Sequence, residues 1–133
     1  MDYGQGYEKD LTTLKPESKF YHKVKDFMKE ISFTRLENMS SLGTPDVLAY
    51  NKKHTFFTVE LKVAKGNSVK LSPHQISFHV RHPHNTFILV SSALYKDEKL
   101  YEGSSILQLV ACGLRLEACR SGLDLIYNYL RRL

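Results

Sequence analysis

Apolar and polar residues change their period several times along the chain, and each change marks an element. Phe20, Val24, Phe27 and Ile31 fall at i, i+4, i+7 and i+11, a helical stripe. Pro16 suits a first helical turn and Glu17 the positive end of the helix dipole, so a helix is predicted to open near Pro16. The period then shortens to two. Ile31–Glu37 alternates and reads as a strand, and Asp46–Tyr50 as a second, after a polar loop broken by Gly43 and Pro45. After a turn at Asn51–His54, Thr55–Ala64 is the clearest strand of the set. Phe57, Val59, Leu61 and Val63 point to one face, and Phe56, Thr58, Glu60 and Lys62 to the other. Ser72-Pro73 places a capping residue before a proline at the first helical position and predicts a short helix to about Arg81. Thr86–Ser91 is almost wholly apolar, the mark of a buried strand. Lys99–Glu102 reads as a small edge strand. Ser104 and Ser105 then open a helix with Ile106, Leu107, Val110, Leu114 and Ala118 on its apolar face. Ser121-Gly122 breaks that helix before a last one over Leu123–Leu133.

This order predicts an α/β fold, a central sheet flanked by helices. At 133 residues, 42% hydrophobic and 25% charged, the chain is expected to form one packed domain rather than a disordered segment. Residues 1–14 lack periodicity and are read as a flexible N-terminal arm. Residues 15–133 form the domain, with a core over 15–92 and a helical addition over 103–133. No apolar run reaches the length of a membrane span, and the start lacks a signal pattern. Cys112 and Cys119 stand without a CxxC motif, as expected of reduced thiols in a cytoplasmic protein. A net charge of +5 permits a polyanionic partner without requiring one.

The candidate chemistry lies between Gly43 and Gln75. Strand geometry puts Glu60 and Lys62 on one face, roughly 7 Å apart. Asp46 opens the neighbouring strand. A hard divalent cation takes carboxylate, carbonyl and water oxygens, and Asp46, Glu60 and the carbonyl of Leu61 would offer three. Lys62 would orient or deprotonate a water, or hold a phosphate oxygen. The plain alternative is a surface salt bridge between Glu60 and Lys62. His74, His79, His82 and His84 are dense enough to raise zinc, but Pro83 interrupts the helical spacing and no cysteine joins them, which favours surface or DNA-contacting histidines.

These residues carry a resemblance. Gly43-Thr-Pro-Asp46, Glu60-Leu-Lys62 and Leu71-Ser-Pro-His-Gln75 resemble the motifs of the PD-(D/E)xK nuclease superfamily. The pattern is most similar to stand-alone virus-type replication-repair nuclease (VRR-NUC) domains and archaeal-type Holliday junction resolvases. The resemblance spans about Glu17 to Ser91. It implies a restriction-endonuclease-like core with a mixed sheet, extra C-terminal helices, and a Mg2+-dependent DNA endonuclease (Mn2+ as the alternative metal) acting in DNA recombination or repair. It further implies Asp46, Glu60, Leu61 and Glu17 as metal ligands, and Lys62 and Gln75 beside the scissile phosphate. Arg35, Ser41, Lys65, Lys70 and His74 are the expected DNA contacts. A four-way junction is two-fold symmetric, so the expected enzyme is a homodimer. A nucleic-acid-binding or regulatory protein without cleavage, and a less selective nicking nuclease, stand as alternatives.

Overall fold

The computed structural model describes residues 15–36 and 43–133. Its elements run α1 (Pro16–Phe27), β1 (Ser32–Arg35), β2 (Val47–Tyr50), β3 (Phe56–Ala64), α2 (Pro73–Arg81), β4 (Thr86–Ser92), β5 (Asp97–Glu102), α3 (Ile106–Cys112), β6 (Arg120–Ser121) and α4 (Leu123–Leu130). The strands form one six-stranded sheet in the order β1-β2-β3-β4-β5-β6. All pairs are antiparallel except β3 and β4. A parallel pair needs a crossover, and α2 supplies it. The α/β class with a mixed sheet and flanking helices is as expected.

Helices cover both faces, so the central strands are apolar on both sides. One core cluster packs Phe57, Val59 and Leu61 of β3 and Phe87 and Leu89 of β4 against Phe20, Tyr21 and Val24 of α1 and Ile126 and Leu130 of α4. The other packs Ala64, Ile88, Val90 and Tyr101 against Ile106 and Leu109 of α3. The C-terminal segment therefore builds part of both cores. Leu130 also binds back to the β2–β3 turn, its carbonyl accepting from Asn51 Nδ2 at 2.9 Å. Asn51 Oδ1 in turn accepts from the N–H groups of Lys53 and Thr55, which closes the β2–β3 turn in place of the favoured Asn-Gly pair.

Several local expectations are corrected. α1 ends at Phe27, so Ile31 reaches the core from beyond the helix, Phe27 is 40% exposed, and Tyr21 and Met28 are buried instead. Val63 is 37% exposed, because the parity that buries Phe57, Val59 and Leu61 outruns the helices that cover them. The strand at Asp97–Glu102 is not an edge: β6 pairs beyond it. α3 stops at Gly113, whose φ of +67° ends the helix, and it turns Ile106 and Leu109 to the core, which leaves Leu107 and Val110 facing solvent. The arm over residues 1–14 and Glu37 lie outside the described residues.

Candidate active site

Backbone geometry brings the end of one loop, one strand and one helix start together. Gly43 adopts φ +82°, a conformation that L side chains rarely take. It lies against the backbone of His74, so closely that a Cβ would collide with the His74 carbonyl. The Gly43-Thr-Pro-Asp46 turn is thus seated on the first turn of α2. Asp46 then precedes β2 by one residue. Continuing the Val47–Val59 register sets Asp46 across from Glu60.

Asp46 Oδ2 accepts a hydrogen bond from the Leu61 N–H at 2.8 Å. A strand residue directs its N–H and C=O to the same side, so the Leu61 carbonyl also faces the side on which Asp46 lies. Glu60 is 1% exposed. Its Oε2 accepts from Gln75 Nε2 at 2.8 Å and lies 3.8 Å from Lys62 Nζ. Its Oε1 is buried with no donor facing it, and the Asp46 carboxyl lies within hydrogen-bond reach of the protonated acid. Burial foremost, and then the charge of Asp46, push the Glu60 carboxyl up to about 9, against the opposing pull of Lys62. By itself this acid keeps its proton at neutral pH.

Gln75 holds two positions at once. Its Oε1 accepts from the Ser72 N–H at 2.9 Å while Ser72 Oγ accepts from the Gln75 N–H at 3.1 Å, a capping box at the start of α2. That leaves Nε2 to point at Glu60. The Gln75 carbonyl accepts from His79 Nδ1 at 2.8 Å, one turn on. His79 is fully buried, and burial pushes its imidazole pKa down. It is therefore a neutral internal residue, not the surface or DNA-contacting histidine expected from the sequence.

A cleft of about 490 Å³ opens at Lys62, lined by Glu17, Lys62, Lys65, Asn67, Ser68 and Lys70 among others, but by neither Asp46 nor Glu60. Three of these are lysines, so the cleft offers a polyanion positive charge starting two residues along β3 from the buried Glu60. Asn67 and Ser68 had no signal in the local sequence. Asn67 is anchored from 45 residues away, donating through Nδ2 to the Cys112 carbonyl at 3.0 Å.

The structure brings together Asp46, Glu60, Leu61, Lys62 and Gln75, with Lys65 and Lys70 on the adjoining cleft. Glu17 is exposed and lines that cleft rather than joining the acid pair, although its charge reaches Glu60. Among the described residues no group of three or more His, Cys, Asp and Glu gathers around one point. His74 is exposed on the first turn of α2. Arg35 shares a parity with Phe33 and Val47, so it lies on the α1 face, opposite Glu60, with its guanidinium 4.6 Å from the Tyr21 ring centre. Ser41 lies outside the described residues. Cys112 and Cys119 are free thiols, and no described helix is long and apolar enough to cross a membrane.

A hard cation fits this donor set. A buried carboxyl oxygen that no donor serves, a second carboxyl within reach across the strand pair and a backbone carbonyl on the same side are the oxygen ligands Mg2+ takes, completed by water. A cation there would also remove the reason for Glu60 to stay protonated. No family model, curated protein or solved structure matches the chain.

Proposed function

We propose that the protein is a metal-dependent DNA endonuclease with a restriction-endonuclease-like core, acting on branched DNA such as a four-way junction. The observation that supports this reading most is Glu60. A buried acid whose Oε1 has no donor, set against Asp46 and Lys62, with a lysine-lined cleft that begins at Lys62, makes physical sense where a cation and a phosphate meet. Asp46, Glu60 and the Leu61 carbonyl would hold Mg2+ or Mn2+, which supplies Lewis acidity at the phosphate and lowers the pKa of a bound water.

The chain's own groups divide the remaining work. Lys62, tied to Glu60 Oε2, reaches the mouth of the cleft, where its ammonium can hold a phosphate oxygen or orient the attacking water. Gln75 fixes the Glu60 carboxyl through Oε2, so the other oxygen, which no donor serves, is the one a cation would share with Asp46. Lys65 and Lys70 neutralise backbone phosphates alongside. Recognition through phosphates and shape suits a branched substrate, and its two-fold symmetry suits a homodimer.

Purified protein incubated with labelled four-way junction, linear duplex and single strand, with and without Mg2+, tests the reading. Metal-dependent cutting, strongest on the junction and lost in Asp46→Asn and Glu60→Gln, is expected. No metal-dependent cutting of any substrate sinks it; equal cutting of junction and duplex removes only the junction preference. A second reading, a nucleic-acid-binding protein that does not cleave, draws on the convergence of only two carboxylates among the described residues. It predicts binding without cutting.

A further inference from the structure

The face of the sheet that bears Glu60 continues away from the acids into an aromatic step. Tyr50 pairs with Phe56, Leu48 with Thr58, and by continuation Asp46 lies across from Glu60, all with side chains on one face. Phe56 is 58% exposed, and its ring centre lies 4.4 Å from that of Tyr50 at an interplanar angle of 40°. Tyr50 Oη is hydrogen-bonded to His54 Nδ1 at 2.9 Å, which steadies the phenol ring. Lys52, Lys53 and His54, all exposed, form the turn at this end of the hairpin. A lone exposed apolar side chain is ordinary on a protein surface. This one differs in having a ring partner, a cationic border and a straight line along two strands to the acid pair.

We infer that Phe56, backed by Tyr50, is a stacking platform for an unpaired nucleobase of the nucleic acid whose phosphates occupy the acid site and the basic cleft. The inference rests on the nuclease reading for its orientation. Four strand residues separate Phe56 from Glu60, about 13 Å at the rise of a β-strand. That is roughly four base steps at the ~3.4 Å axial rise of a duplex strand, and fewer when the strand is extended. A π-face binds any base, and Lys52, Lys53 and His54 border the ring where the flanking phosphates would pass. A splayed base near a branch point supplies such a ligand, whereas an intact duplex keeps its bases stacked on each other. Charge complementarity therefore favours a polyanion with an exposed ring over a second copy of this basic chain.

The test uses the full chain in EDTA, so that binding is read without cleavage. A short single strand carrying a central 2-aminopurine is titrated with wild type, Phe56→Ala, Phe56→Tyr and Lys52→Ala/Lys53→Ala. Stacking predicts quenching on binding by wild type and Phe56→Tyr. It also predicts affinity roughly 5- to 100-fold weaker, with quenching largely lost at saturation, in Phe56→Ala. The double lysine variant should bind more weakly with a shallower salt dependence yet keep its quenching at saturation. Equal quenching by wild type and Phe56→Ala overturns the platform. So does a change of sedimentation from dimer to monomer in Phe56→Ala with quenching unchanged, since the face would then join copies of the chain. Cutting is assayed separately with Mg2+ on four-way junction, linear duplex and single strand: wild type that quenches but cuts none of them retains the platform and loses the nuclease.

Discussion

Glu60 shows how burial turns an ordinary acid into a reporter on its surroundings. The unfolded chain ionises this carboxyl near the usual 4.5, whereas the native state without a cation keeps the proton up to about 9. Between those values the native state holds one more proton, so metal-free stability is expected to fall as pH rises through that window and to level off above it. Melting temperature against pH in EDTA should show this slope. Glu60→Gln, which cannot ionise, should flatten it. Mg2+ should flatten it too, because the ionised form then has its counter-charge, and binding in this range should release a proton to a pH indicator. A slope that survives Glu60→Gln assigns the pH dependence to other groups.

At the scale of elements, α2 is placed by two small devices. Gln75 serves both the capping box and Glu60, and Gln75→Glu separates the two roles. Glutamate is an equally good partner in the box, so far-UV circular dichroism should stay unchanged. Its carboxylate would face Glu60 in place of a donor, and cleavage should fall about tenfold or more, the equivalent of ~1.4 kcal/mol in the barrier. Undiminished cutting would leave Gln75 with a capping role alone. Gly43→Ala places a side chain against the His74 carbonyl at a positive φ. A loss of more than ~1 kcal/mol in denaturant unfolding is expected, with activity reduced further because the Asp46 turn leaves its seat on α2. The Ser72 cap and both prolines were readable as helix starts, since they act within a few residues. That Gln75 has a hand left for Glu60 was not, because it depends on where α2 lands after the crossover.

Over the whole molecule, the charge of the chain acquires a location. A surplus of five positive charges is a weak statement in a list of residues, but Lys62, Lys65 and Lys70 around one cleft make a surface that a phosphate backbone can follow. Lys65→Ala/Lys70→Ala should weaken DNA binding with little dependence on sequence. It should also reduce the slope of log affinity against log salt by about two, as expected when two phosphate contacts go. An unchanged slope would move the DNA path off this cleft. Lys23 has a different use: it pairs with Glu98 on β5 at 3.0 Å, which ties α1 to the far part of the sheet.

The sequence by itself determined what depends on neighbours along the chain. The period-two run of β3 put Glu60 and Lys62 on one side, the cap and proline started α2, and the apolar run over β4 demanded a buried strand. Local sterics and alternation suffice for these because they act over a few residues. Only the tertiary structure decided which charges meet. It set Asp46 across from Glu60, turned Arg35 to the opposite face and left Glu17 at the rim of the cleft. It also buried His79 while leaving His74 exposed, drew β6 into the same sheet and packed α3 and α4 on its two faces. Strand register and helix docking are collective results of burying apolar surface on both faces at once, and no window of sequence contains them.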